Sequence, residues 1–173
     1  IKDKDVFRML GLSYAQLGNC TEAQNSLTAA VSMGAKDKDV YSQLGICQFK
    51  SKDYKGSVES LTQAINAGSN TQEVFLYKGY AGYWQKDYDN ALRDLEKSVS
   101  MGAKEAEAHK YIADIKFLKS DFAGAIKEYD NAEKAGANDA VLFNNRGKSK
   151  MNTNDLAGAK ADFDKAIQRD ASY

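Results

Sequence analysis

Small and large apolar residues return along the chain at a step of 34 positions. Ala23, Ser57, Ala91, Ala125 and Ala159 form one column. Leu27, Leu61, Leu95, Tyr129 and Phe163 form a second, and Ala30, Ala64, Ser98, Ala132 and Ala166 a third. Within each unit these positions are spaced by four and three residues, which places them on one face of a helix. A further column, Phe7, Tyr41, Phe75, His109 and Phe143, stands four residues before Gly11, Gly45, Gly79, Ala113 and Gly147. A large residue one turn before a residue of little bulk describes a second helix, which its neighbour approaches closely at the small position. The pattern predicts two helices per unit in five units, with no strands. A fixed period carried from end to end means that each unit buries its apolar face on the next.

Polar punctuation keeps the same step. Asn19, Asp53, Asp87, Asp121 and Asp155 each precede an apolar-periodic run, where a short acceptor satisfies the unpaired N–H groups of a helix start. Gly34, Gly68, Gly102 and Gly136 close those runs with the left-handed conformation that ends a helix. The first helix of each unit, helix A, is therefore expected at 4–17, 38–51, 72–85, 106–119 and 140–153. Helix B is expected at 20–33, 54–67, 88–101, 122–135 and 156–169.

The succession Phe7, Leu10-Gly11, Tyr14, Ala23, Leu27 and Ala30 in the first unit, renewed in the four that follow, resembles the tetratricopeptide repeat over residues 4–171. The resemblance implies an all-α fold, an α-solenoid of tandem helix-turn-helix repeats wound as a right-handed superhelix. It implies a single array over 1–173, with repeats at about 4–37, 38–71, 72–105, 106–139 and 140–173. Two departures stand out. The family's frequent Pro near the end of each unit is replaced by Ala35, Ser69, Ala103, Ala137 and Ala171, and Lys78 and Arg146 occupy the Leu column. The glycine caps stop helix B without Pro, and a long basic side chain is expected to keep its charged head in water while its stem packs.

Both ends read as cut. Helix B of the fifth unit offers Leu156, Phe163 and Ile167, residues of the kind inner units bury on their successor, and Asp170 replaces the Gly stop. Gln24 and Lys160 are polar where inner units carry Val58, Leu92 and Ile126. The chain is expected to be a segment of a longer protein, or to have its C-terminal face covered by a partner. It opens on Ile1 rather than Met and shows no signal peptide at that end, which leaves its compartment open.

Composition changes the picture by exclusion. The absence of Pro from 173 residues leaves the helices uninterrupted. Lys+Arg 24 against Asp+Glu 24 argues against general affinity for nucleic acid or acidic lipid. No apolar run approaches the roughly 18 residues that span a bilayer. Two Cys and one His supply no structural zinc site without several carboxylates, and no cofactor is implied. His109 stands in an aromatic column and is expected to be a packed ring. Cys20 falls in the column of Tyr54, Tyr88, Phe122 and Leu156, and Cys47 in that of Ser13, Ala81, Ile115 and Ser149; both columns are expected inside, with the cysteines as buried free thiols and a disulfide as the less favoured alternative. The glycines never cluster into a phosphate loop. No catalytic residue is assigned, and the chain is expected not to be an enzyme.

The resemblance implies a concave groove lined by the A helices, where the family binds peptides and partner proteins. Its groove positions correspond to Asp39, Ser42, Gln43, Ile46, Phe49 and Lys50 in the second unit. In the third they correspond to Glu73, Leu76, Tyr77, Tyr80, Tyr83 and Trp84, and in the fourth to Glu107, Lys110, Tyr111, Asp114, Phe117 and Leu118. Large rings with a polar tip most often anchor interfaces. The candidate contact residues are Phe49, Tyr77, Tyr80, Tyr83, Trp84, Lys110 and Phe117, with the alternative that part of this aromatic stripe is core. The carboxylate clamp of chaperone adaptors is not matched, because Arg8, Leu12, Gln43, Glu73 and Tyr77 occupy its positions and Lys110, Asp114 and Asn145 complete only part of it. Asp5, Asp39, Glu73 and Glu107 recur near the helix A starts. They read either as a rail for a basic ligand or, more simply, as acids that suit the positive end of a helix, since Lys2, Lys4, Lys36, Lys38 and Lys104 interleave with them. The expected function is an interaction scaffold holding a protein or peptide ligand, with end-to-end self-association as the alternative.

Overall fold

The computed structural model describes residues 3–172; Ile1, Lys2 and Tyr173 lie outside them. Among the described residues there are ten α-helices and no strand. They are α1 Lys4–Gln16, α2 Cys20–Ser32, α3 Lys38–Lys50, α4 Tyr54–Asn66, α5 Gln72–Trp84, α6 Tyr88–Ser100, α7 Ala106–Leu118, α8 Phe122–Lys134, α9 Ala140–Asn152 and α10 Leu156–Arg169. Odd-numbered helices are the A helices, and every end lies within one residue of the expected bound.

The helix ends follow from their residues. Asn19, Asp53, Asp121 and Asp155 accept hydrogen bonds from the backbone N–H groups of Glu22, Gly56, Gly124 and Gly158. Asp87 instead holds the side-chain amide of Asn90 at 2.8 Å. The B helices stop where Gly34, Gly68, Gly102 and Gly136 turn to φ of 91 to 105°. The turns from A to B use the same left-handed device without glycine in most repeats. Lys52, Lys86, Ser120 and Asn154 stand at φ 65, 64, 62 and 65°, equivalent to Gly18 at 75°.

Contacts divide the chain into two compact units, Ile1–Gly102 and Ala103–Tyr173. In the first, each A helix packs on its own B helix, α2 packs on α3 and α4 on α5, and α1, α3 and α5 lie side by side. Its core includes Ala23, Leu27, Ala30, Val40 and Leu44, and farther along Ile46, Leu61 and Val74. The glycine column sets how closely the helices approach, because a Cβ on Gly11, Gly45 or Gly79 would lie 2.6 Å from Cγ of Leu27, Leu61 or Leu95. In the second unit α7–α10 close around Ala113, Ala125, Tyr129, Ala132, Leu142, Phe143 and Ala166. There Gly147 lies under the ring of Phe163, where an added Cβ would come within 2.8 Å.

Three expectations are corrected. Cys20 and Cys47 are joined in a disulfide, with Cα atoms 4.9 Å apart, rather than being free thiols. Cys20 opens α2, Cys47 lies within α3, and the packing of these two helices brings the columns together. Arg146 does not keep its head in water. It is 3% exposed and donates to Asp162 at 2.8 and 2.7 Å, to Asp130 at 2.7 Å and to Glu133 at 2.6 Å. Lys78 is likewise neutralised by Asp94. Both acids occupy the column of Ser26 and Ser60, so a cation in the Leu column is matched by an anion on the facing B helix. His109, finally, is more than a packed ring. Its Nδ1 lies 2.8 Å from Glu128, which also stands 4.0 Å from Lys116.

Candidate functional site

Helix α3 ends on Phe49 and Lys50, and α5 on the equivalent Tyr83 and Trp84; the B helices that follow open on Tyr54 and Tyr88. Each turn folds the chain back so that the last ring of A meets the first ring of B. The centroids are 5.7 Å apart for Phe49 and Tyr54 and 5.7 Å for Tyr83 and Tyr88. Phe117 and Phe122 repeat the pair at 5.6 Å in the second unit. The ring pair is thus a construction of the repeat, independent of any ligand.

In the first unit the pairs are joined across repeats. Tyr54 stacks on Trp84 at 5.6 Å with 10° between planes, and Trp84 meets Tyr83 edge-on at 5.9 Å. Phe49 also touches Tyr77 at 5.4 Å and Tyr80 at 5.8 Å. Tyr80, Tyr77, Phe49, Tyr54, Trp84, Tyr83 and Tyr88 therefore form one continuous chain of rings. Five of these are the candidate contact residues of that unit. Trp84 is 51% exposed, Phe49, Tyr77 and Tyr83 are half-buried, and Tyr80 is buried at 7%. Tyr54 and Tyr88 were not among the candidates. Their signal was the aromatic column five residues after Phe49 and Tyr83, which the periodicity assigned to the interior.

Other groove positions divide similarly. Ile46 and Leu76 are buried, Ile46 against Leu61 and Val74. Asp39, Ser42, Gln43 and Glu73 line one pocket of about 170 Å³, together with Lys38 and the loop Ser69, Asn70 and Thr71. Ser42 and Ser69, both buried, face each other there at 3.5 Å.

In the second unit, Lys110 is held by Asp139 at 2.9 Å and by Glu107 at 3.5 Å. Burial pushes its pKa down, but these carboxylates outweigh that and leave it above the usual lysine value. Asp139 also caps α9 by accepting from the N–H of Leu142, so Lys110 is tied to the start of the neighbouring A helix. Phe117 packs against the core as well as on Phe122. Asp114 accepts from Tyr129 at 2.5 Å and from Asn145 at 3.2 Å. Burial raises its carboxyl above the ordinary aspartate range despite those bonds.

The arrangement offers ring faces, hydroxyl tips and paired charges, which suit recognition. Among the described residues no group of His, Cys, Asp and Glu could hold a metal ion, and no helix is long and apolar enough to cross a membrane.

Comparison with known proteins bears on this surface through the fold. Several solved structures share that fold over nearly the whole chain. The structure of a MamA mutant matches with a TM-score of 0.86 at 21% identity, over 96% of this chain and 97% of that one. Another MamA structure matches with a TM-score of 0.85 at 20% identity, over 98% and 93%. YrrB, described as a TPR protein with an unusual peptide-binding site, matches with a TM-score of 0.83 at 16% identity, over 99% and 89%. No curated protein matches by sequence. Family models described as tetratricopeptide repeat match residues 8–72, 78–140 and 140–173. The chain accordingly belongs to the tetratricopeptide repeat family, as an all-α helical-repeat protein.

Proposed function

We propose that this chain is a non-catalytic scaffold that holds an extended segment or a helix of a partner protein on the A-helix face of its first unit. Tyr83 and Trp84 are the anchors, with Phe49, Tyr77 and Tyr80 behind them. Lys110 and Phe117 are the second unit's candidates for contact. The family is generally one of interaction scaffolds rather than enzymes, and YrrB, with its peptide-binding site, is a neighbour in fold. The observation that carries the reading is Trp84, which stacks on Tyr54 and meets Tyr83 within the chain of rings yet keeps half its surface exposed. A ring already held in place loses little conformational freedom when a partner covers it.

The test is affinity capture with the chain and with Tyr83→Ala/Trp84→Ala, followed by measured affinity for each captured protein. Loss of the partner with unchanged helical content is expected. A partner bound equally well by both would remove the anchor assignment.

A second reading is self-association through apolar side chains of the outermost helices. Val6, Met9 and Leu17 on and after α1, and Leu156 and Ile167 on α10, are exposed. Light scattering across a concentration series would decide it. Association abolished by Ile167→Lys supports this reading, and a monomer at every concentration rejects it.

A further inference from the structure

We infer that the partner segment carries a basic side chain, Arg or Lys, whose cationic head enters the pocket between the starts of α3 and α5 while an apolar residue of the same segment lies on the rings; this rests on the partner-binding reading above. The equivalent place in two other repeats holds a cation of the chain itself. Arg8, Ser42, Leu76, Lys110 and Asn144 form one column. Arg8 of the first repeat donates at 2.9 Å to Asp37, the acid that caps α3. That bond, with the charges of Asp37, Asp39 and Asp5 around it, raises its pKa above the ordinary arginine value. Lys110 of the fourth repeat is held in the same way by Asp139, the cap of α9, and by Glu107. In the second repeat the acids recur, Asp5 as Asp39 and Asp39 as Glu73. The cation does not: its position is cut back to Ser42, and the acidic cap is Thr71. These four side chains line the cavity of about 170 Å³. Leu76, at the same position in the third repeat, is buried.

The charges at the cavity select a positive group. Asp39 and Glu73 are exposed, and among the described residues neither side chain forms an ion pair or hydrogen bond within the chain. The other charged group in the lining is Lys38. Arg8 and Asp37 neutralise each other beside it, and Lys36 lines a separate cavity with Tyr41 and Gln63. Two carboxylates thus face one ammonium. The helix starts add positive partial charge, which by itself favours an anion. Arg8 at the start of α3 and Lys110 at the start of α9 show that acids of this kind reverse that preference.

A buried hydroxyl supplies an independent observation. Ser69 lines the same cavity and is 6% exposed, at a position where Ala35, Ala103 and Ala137 serve the fold in other repeats. Its oxygen lies 3.5 Å from that of Ser42, whose single proton goes to the carbonyl of Lys38 at 2.7 Å. The Ser69 oxygen therefore receives no short hydrogen bond within the chain. A buried polar group left so is costly unless a donor meets it, and ammonium and guanidinium groups bring donors only.

The distance to the rings sets the spacing within the segment. Asp39, Ser42, Gln43, Ile46 and Phe49 step by three and four along one face of α3, as Glu73, Leu76, Tyr77, Tyr80 and Tyr83 do along α5. From Asp39 to Phe49, and from Glu73 to Tyr83, is about 15 Å along the helix axis. An extended chain covers that in about four or five residues.

The test uses the full chain and fluorescence anisotropy of a short labelled peptide in which four Ser separate an Arg from a Trp. Comparison probes carry Gln or Glu for Arg, or place Arg directly beside Trp. Ser42→Arg/Thr71→Asp rebuilds the arrangement of the first repeat and fills the cavity from within. Asp39→Asn/Glu73→Gln removes the charge from two exposed side chains. Both variants are expected to keep the parent's helical content. Each should lower affinity for the Arg peptide about tenfold at low salt, to the level of the Gln peptide. Added salt, or Arg beside Trp, should also weaken binding. Unchanged affinity in either variant, with binding lost in Tyr83→Ala/Trp84→Ala, would overturn the cation pocket and leave the anchor assignment standing. Weakening in both pocket variants with none in Tyr83→Ala/Trp84→Ala would support the pocket and overturn the anchors. Equal affinity for the Arg and Gln peptides, tighter binding of the Glu peptide, or no binding of any probe would overturn the inference.

Discussion

Arg146 and Asp162 face each other through two parallel hydrogen bonds, Nε to Oδ2 at 2.8 Å and Nη2 to Oδ1 at 2.7 Å, between α9 and α10. Asp162 is 2% exposed and is also held by Lys150 at 2.7 Å. Repeat 2 carries Leu44 and Ser60 at the equivalent positions, so the same fold accommodates an uncharged pair. A buried charge deprived of its partner is expensive, whereas removing both charges together is often close to neutral. Arg146→Leu is therefore expected to destabilise by about 3–5 kcal/mol, and Asp162→Ser by somewhat less, because Asp130 and Glu133 still hold the guanidinium. Arg146→Leu/Asp162→Ser should recover most of the loss. Urea unfolding of all three variants measures this cycle, and additive losses would contradict it.

Stability should respond to acid in a defined direction. Burial pushes the carboxyls of Asp37, Glu133, Asp139 and Asp162 upward. Hydrogen bonds from Arg8, Arg146, Lys165, Lys110 and Lys150 outweigh it, and all four groups lie below their ordinary values of 3.8 for Asp and 4.5 for Glu. A carboxyl that is more acidic folded than unfolded contributes stability above its unfolded pKa and loses it as pH falls through the folded value. The melting temperature is expected to fall steeply below about pH 4. Asp114 has the opposite sign. Its raised pKa means a contribution present below 3.8 that is lost as pH rises through the folded value. Asp114→Asn should raise the melting temperature by roughly 2–4 °C at pH 7 and little at pH 3. Equal shifts at the two pH values would contradict the assignment.

The Cys20–Cys47 disulfide closes a loop with a sequence separation of 27. On chain-entropy grounds such a closure stabilises by about 3–4 kcal/mol. In a repeat protein that contribution is local to the first two repeats. Reduction with a dithiol is expected to speed hydrogen exchange in α1–α3 while α7–α10 keep their protection. Thiol titration of the native chain, purified without reductant, should find no reactive cysteine. Two titratable thiols per chain would show that the bond does not form.

Gly45→Ala should be more costly than Gly82→Ala. At Gly45 the new Cβ would stand 2.6 Å from Leu61 Cγ and 3.1 Å from the Leu61 backbone nitrogen, so both helices would have to separate. A loss of about 1–3 kcal/mol is expected from that overpacking. At Gly82 the nearest atom is Ala91 Cβ at 3.2 Å. The gain in helix propensity, about 1 kcal/mol, offsets much of that contact. Urea midpoints compare the two, and similar losses would mean that the glycine column does not set the helix spacing.

The aromatic stripe shows how far a column can be read. Phe49, Tyr77, Tyr80, Tyr83 and Trp84 were visible as large rings at helical spacing, yet the spacing leaves open which of them face water. Tyr80 lies inside, Phe49 and Tyr83 pair with the ring that opens the next helix, and Trp84 alone among them is mainly exposed. Tyr54 and Tyr88, read as interior, complete the surface because the turn returns them to the end of the preceding helix.

What the sequence by itself determined is the ten-helix plan, its boundaries and its core columns, because a helix is built from neighbours three and four residues apart and a repeat copies that local rule. The tertiary structure alone decided the partners of side chains that meet across helices. Cys20 meets Cys47, Arg146 meets Asp162, and Trp84 meets Tyr54, 30 residues apart in sequence. Such pairings depend on how one helix crosses another, a geometry set by the close approach of glycine and leucine columns rather than by the identity of the residues that become neighbours.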